Sequence, residues 1–126
     1  MVFSQHGLVK VQRRNGLLEV TLKGSFNWEA SIEYKTIVTS FLNEMRGKSC
    51  SILLDTTDLE GAIPDAWNTV AELNDEIANN SNLKLFIVVC NNALIKHCLE
   101  KVNKPTLKSK IRLFNNRASA ICLLSS

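Results

Sequence analysis

Leu85-Phe86-Ile87-Val88-Val89-Cys90 is an unbroken apolar run rich in β-branched residues. A strand with one wet face alternates apolar and polar residues. A run without that alternation fits a central strand covered on both faces. Ile52-Leu53-Leu54 is a second, shorter run, and it ends at Asp55. Between the two lies a helical pattern. Pro64 suits the first position of a helix and Asp65 its first turn. Ala66, Trp67, Val70, Leu73 and Ile77 then recur at helical spacing to about Ala78, and Asn79-Asn80-Ser81-Asn82 ends the pattern. Strand, helix, strand in this order implies a parallel pair with a right-handed crossover.

Working outward toward the N-terminus, Leu18, Val20 and Leu22 alternate with Glu19, Thr21 and Lys23. That is a half-buried strand, and Asn15-Gly16 before it predicts a tight hairpin back to a strand over Leu8–Arg13. Gly24 is read as the break. Asn27 is read as the cap of a helix carrying Ala30, Tyr34, Ile37, Val38, Phe41 and Met45, with Arg46 in the last turn and Gly47 as the stop. Toward the C-terminus, Asn91 or Asn92 caps a third helix with Leu94, Cys98 and Val102 on one face, closed by Pro105. A strand over Ile111–Phe114 and a short helix over Ala118–Leu123 complete the chain. The segment Thr56–Gly61 reads as a polar loop. The whole is expected to be one α/β domain over residues 1–126, with its core at about 8–124. Its sheet is mostly parallel, with an N-terminal antiparallel hairpin and about four helices.

Charge is sorted along the chain. Asp55, Asp58, Glu60, Asp65, Glu72, Asp75 and Glu76 fall in a stretch without a single basic residue. Lys96, Lys101, Lys104, Lys108, Lys110, Arg112 and Arg117 face only Glu100. Such a molecule is dipolar, and association of its two faces into a homo-oligomer follows as an expectation. No apolar run approaches the roughly 20 residues that span a bilayer, and the N-terminus lacks the pattern of a secretory signal. Cys50, Cys90, Cys98 and Cys122 form no CxxC pair. They are expected to be reduced and buried, which suits the cytoplasm.

Catalytic chemistry finds little support. A serine-type triad needs a histidine, and only His6 and His97 exist. Cys90, His97 and Cys98 have the ligand types for zinc, but adjacent helical residues diverge by about 100° and a fourth ligand is missing. Gly47-Lys48-Ser49 lacks the earlier glycine of a phosphate-binding loop, since Leu42 stands there, and no GxGxxG occurs. No cofactor is expected. Asp55, Asp58 and Glu60 follow the C-terminal end of a strand, where open α/β sheets bind ligands. They could hold a cation or act in acid/base work, yet Asp after a buried strand more often bonds loop amides. Trp67 fits the core stripe of its helix, while Trp28 fits core or surface equally.

Four segments resemble the SpoIIAA-like proteins, relatives of the STAS domains (sulfate transporter and anti-sigma-factor antagonist). Leu18-Glu19-Val20-Thr21-Leu22-Lys23-Gly24 is similar to that family's strand ending in Gly. Ile52-Leu53-Leu54-Asp55 resembles its buried strand ending in Asp. Thr57-Asp58-Leu59-Glu60-Gly61 before a Pro-led helix resembles the SpoIIAA-like branch, and Ile111-Arg112-Leu113-Phe114 with Ala118 resembles the family's C-terminal end. The resemblance implies a SpoIIAA-like fold and a non-catalytic regulatory or protein-interaction module. Anti-sigma antagonists carry a phosphorylatable Ser at the start of the helix after this loop. Here Ile63-Pro64-Asp65 occupies that place, without a hydroxyl.

The expected contact surface for a protein partner is Asp55, Thr56, Thr57, Asp58, Glu60, Pro64 and Trp67. An alternative is a small-ligand or lipid-binding module with an apolar cavity between helices and sheet. Lys101, Lys104, Lys108 and Lys110 would then meet an anionic membrane surface. Nucleic acid is disfavoured, because Phe114 is the only aromatic in the basic stretch.

Overall fold

The computed structural model describes residues 7–102 and 110–125. Five strands form one sheet in the spatial order β1-β2-β3-β4-β5. They are β1 (Leu8–Arg14), β2 (Leu17–Phe26), β3 (Cys50–Ala62), β4 (Leu83–Val89) and β5 (Ile111–Phe114). β1 pairs antiparallel with β2, and every other pair is parallel. Four helices are described: α1 (Trp28–Glu44), α2 (Pro64–Ala78), α3 (Ala93–Val102) and α4 (Arg117–Ser125).

Side chains alternate across a strand, so each strand feeds two cores. Leu18, Val20, Leu22, Ile52, Leu54, Phe86 and Val88 pack under α1, α2 and α3. Leu53, Ile87 and Val89 point the other way and lie under Ala120, Leu123 and Leu124 of α4. The apolar run of β4 is thus covered on both faces, as its composition predicts. α1 begins where expected, with Asn27 Oδ1 accepting from the Ala30 amide at 3.1 Å. The edge strand β1 is tied down by Arg13, which lies over the Phe41 ring at 5.1 Å and pairs with Glu44.

Several local readings are corrected. Thr56–Gly61 is not a loop. β3 continues through it to Ala62, pairing Asp58 with Lys23, Leu59 with Gly24 and Ala62 with Phe26. The reason is Gly24, which does not end β2. It takes φ +79° between two register shifts, and β2 runs on to Phe26 as a partner for the extended β3. One side of that segment is wet, so its polarity mimics a loop. At the hairpin only Gly16 adopts positive φ, at +77°; Asn15 does not. Arg46 lies beyond the end of α1, whose C-cap is Met45.

The third helix is rotated by about one residue from the expected face. Ile95 and Leu99 are buried, whereas Leu94 is 67% exposed. Asn92 Oδ1 accepts from the amides of Leu94 (2.8 Å) and Ile95 (3.2 Å) and sets this phase. Pro105 lies outside the described residues. Cys50 and Cys90 are buried, but Cys98 is half-buried and Cys122 is exposed on α4.

Tyr34 is buried on the inner face of α1, and its hydroxyl has no hydrogen-bond partner among the described residues. Burial pushes the phenol pKa up. An unpaired buried hydroxyl carries its full desolvation penalty. Tyr34→Phe is therefore expected to stabilise the fold by roughly 1 kcal/mol, read as a raised urea midpoint. A lowered midpoint would reveal a hydrogen bond made by that oxygen.

Candidate functional site

The C-terminal ends of the parallel strands carry the N-termini of α1 and α2 side by side. Phe26 pairs with Ala62 at the end of the sheet, and the Ile63 amide donates to the Phe26 carbonyl at 3.1 Å. Ile63 is the N-cap of α2 and makes no side-chain cap bond. Its carbonyl accepts from the amides of Ala66 (3.0 Å) and Trp67 (3.1 Å), which fixes the first turn. This junction holds two large apolar side chains in solvent: Trp28 is 50% and Ile63 46% exposed. Trp67 is half-buried beside them and packs on the core. Glu29 and Asp65, in the first turns of α1 and α2, and Asp58 and Glu60, near the end of β3, are all exposed. Of these, Asp58 is approached by Lys23 at 3.9 Å.

The expected contact residues divide by exposure. Thr57, Asp58, Glu60 and Pro64 are exposed at this corner. Asp55 and Thr56 are buried, at 7% and 1% exposure. The Thr56 hydroxyl donates to the Val89 carbonyl at 2.7 Å and so ties β3 to β4. Asp55 points to the other side of the sheet, where its Oδ2 meets Arg117 Nη1 at 3.0 Å. Its Oδ1 accepts from the Thr57 amide at 2.9 Å. Burial raises the Asp55 pKa, but Thr57 and the Arg117 guanidinium outweigh it and hold the carboxyl below its usual range. Asp55 therefore serves as an anchor within the protein, and the corner that faces solvent is built by Trp28 and Ile63 with an acidic rim.

Sequence reasoning missed Ile63 and left Trp28 undecided. It also placed Glu19 on a wet face, whereas Glu19 is 4% exposed and accepts from Arg117 Nη2 at 2.7 Å. No local pattern marks any of these three. Among the basic residues, Lys101 is exposed in the last turn of α3. Lys110 Nζ donates to the Asn80 carbonyl at 2.7 Å, beyond the C-terminus of α2. Lys104 and Lys108 lie outside the described residues.

Among the described residues, no group of three His, Cys, Asp or Glu side chains could hold a metal, and no helix is long and apolar enough to cross a membrane. Two hollows lie between the helices and the sheet. One, beside Phe26, Tyr34, Leu59 and Trp67, measures about 20 Å³. The other, beside Asn74, Phe86 and Leu99, measures about 10 Å³. Either is near the size of one water, far below the roughly 300 Å³ of a small ligand pocket.

No family model and no curated protein sequence matches this chain. Solved structures do. An uncharacterised protein of the DUF3478 family with a SpoIIAA-like fold, from Shewanella loihica PV-4, is 18% identical, with 98% of each chain covered and a TM-score of 0.69. The Bacillus cell fate determinant SpoIIAA in its phosphorylated form is 10% identical over 93% of this chain and 99% of its own, at a TM-score of 0.67. An anti-sigma factor antagonist from Mycobacterium paratuberculosis is 10% identical over 95% of each chain, at 0.61. With overlap across nearly the whole of each chain at these TM-scores, this chain has the SpoIIAA-like, STAS-type α/β fold.

Proposed function

We propose that the protein is a non-catalytic regulatory module that binds a protein partner through the corner formed by Trp28, Ile63 and Trp67. The observation that carries this reading is the exposure of Trp28 and Ile63 at the starts of two helices that the Ile63 amide–Phe26 carbonyl bond brings together. Scattered exposed apolar residues are ordinary, but adjacent large ones rimmed by charge are the composition of an interface. A tryptophan at the centre of such a group is the usual energetic anchor. Thr57, Asp58, Glu60 and Pro64 form the polar rim, and Asp55 and Thr56 hold the strand that presents it. The acidic rim favours a partner segment that is apolar at its centre and basic at its flanks. The fold supports the regulatory class, since two of its structural neighbours are named as anti-sigma factor antagonists.

Regulation would not use a serine at the start of α2. Residues 58–68 contain no Ser, Thr or Tyr. Four free cysteines support a reducing, cytoplasmic setting.

The test is affinity capture from the source cells with the wild type and with Trp28→Ala/Ile63→Asp. Losing two anchors is expected to weaken a specific partner by about 100-fold or more. Asp58→Lys should lower the association rate and its salt dependence. A partner held equally by the wild type and the double variant would place the interface elsewhere.

A further inference from the structure

Among the described residues, the sheet face that carries α4 is only half covered: α4 lies over β3 and β4, and no described helix covers the β1–β2 side of the same face. A groove of about 270 Å³ runs between that open floor and the start of α4, lined by Lys10, Val11, Gln12, Glu19, Thr21 and Arg117. It lies on a different face from the Trp28–Ile63 corner, and its reading is independent of the function proposed for that corner.

Arg117 is held in place from below. Its Nη2 donates to Glu19 Oε1 at 2.7 Å and its Nη1 to Asp55 Oδ2 at 3.0 Å, with Thr21 Oγ1 at 3.5 Å. The side chain of Arg117 is still 38% exposed. Two buried carboxylates around one guanidinium are a poor source of stability, because desolvation offsets the attraction. What they do provide is position. A guanidinium fixed by a pair of carboxylates meets a ligand without first losing its rotamer freedom.

The rest of the groove supplies donors. Lys10 sits directly across the strand pair from Thr21, and Gln12 sits across from Glu19. Lys10 and Arg117 therefore flank the Thr21 hydroxyl from two sides. The acceptors are already engaged: Glu19 Oε2 has Arg14 Nε at 3.5 Å, and both oxygens of Asp55 are bonded. Lys10, Arg14 and Arg117 are cations against the two anions Glu19 and Asp55, so the groove is left with a net positive charge. Lys10 makes no ion pair among the described residues, and it is exposed.

From this geometry we infer a binding site for a small anionic group, a phosphoryl or a carboxylate, seated over Thr21 between Lys10 and Arg117. The ammonium and guanidinium neutralise the charge, the Thr21 hydroxyl and the Gln12 amide donate hydrogen bonds, and the groove admits a small molecule from solvent.

The experiment is an NMR titration of the full chain with inorganic phosphate and, separately, with acetate. Sodium chloride at matched ionic strength is the reference. Saturable shifts at Lys10, Thr21 and Arg117 that chloride does not produce are expected. A response to phosphate alone identifies a phosphoryl ligand, and a response to acetate, with or without phosphate, identifies a carboxylate-accepting seat. Lys10→Glu lies on an exposed edge strand and should leave the fold intact while weakening the anion by about tenfold or more. Thr21→Val should weaken it without changing the charge. Shifts that match chloride, or that persist unchanged in Lys10→Glu, would overturn the site. Neither result touches capture through Trp28 and Ile63.

Discussion

Arg117→Met is expected to destabilise the protein by roughly 3 kcal/mol at neutral pH, the low end for breaking a buried ion pair because Arg117 is partly solvated. The methionine retains an unbranched side chain but removes the guanidinium that meets both Glu19 and Asp55. Among the described residues, Glu19, at 4% exposure, would retain Arg14, at 3.5 Å. The deficit should therefore come from uncompensated buried charge and not from lost packing. Replacing the carboxylates as well, in Arg117→Met/Glu19→Gln/Asp55→Asn, is expected to recover most of the loss. Urea denaturation of the wild type, Arg117→Met and the triple variant checks this. A triple variant no better than Arg117→Met alone would mean that the helix, not the charge cluster, set the cost.

The same cluster dictates a pH dependence. The pKa of Asp55 in the folded protein lies below its unfolded value, so its contribution to stability is complete above the unfolded value of about 3.9 and fades as pH falls through the folded one. In Arg117→Met the guanidinium no longer opposes burial, and the folded pKa moves up. The gap between variant and wild type should then be widest near pH 7 and narrow toward pH 4. A gap independent of pH would show that the Asp55 carboxyl does not sense Arg117.

Phe86→Ala and Ile87→Ala are each expected to cost several kcal/mol, about 3–5 for the first and about 2–5 for the second. The pair is informative because the residues are neighbours in sequence and lie in opposite layers. Phe86, 2% exposed, packs with the α1–α3 core, and Ile87, 0% exposed, packs under α4. In a strand with one wet face only one of two neighbours would matter. Lys10→Ala on the edge strand β1 should change stability by less than about 0.5 kcal/mol. Since small domains retain only about 5–15 kcal/mol in total, either β4 variant should shift the thermal midpoint by many degrees. Tolerance of Ile87→Ala would mean that α4 does not cover β4 in solution.

What was legible in the sequence follows a physical boundary. Alternation in Leu18–Lys23, the unbroken run at Leu85–Cys90, helical spacing over Ala30–Met45 and Pro64–Ala78, and the Asn27 cap are all local. They depend on a residue and its chain neighbours, and each appears in the structure as a strand, helix or cap near the place read, with Glu19 the exception to the alternation. The phase of α3 was ambiguous because Leu94, Ile95, Cys98 and Leu99 offer two apolar stripes one residue apart. The tail of β3 was misread because polar Thr57, Asp58 and Glu60 become a strand only when β2, past Gly24, supplies a partner. The candidate sites lay furthest out of reach. Arg117 meets Glu19 across 98 residues of chain, and Ile63 and Trp28 become neighbours only once the Phe26 carbonyl accepts the Ile63 amide. Local chemistry decided which segments are strands and helices. Which polar groups are buried together, and which apolar ones stay in water, was decided by the tertiary structure, because only packing brings distant side chains within range of each other's charge and surface.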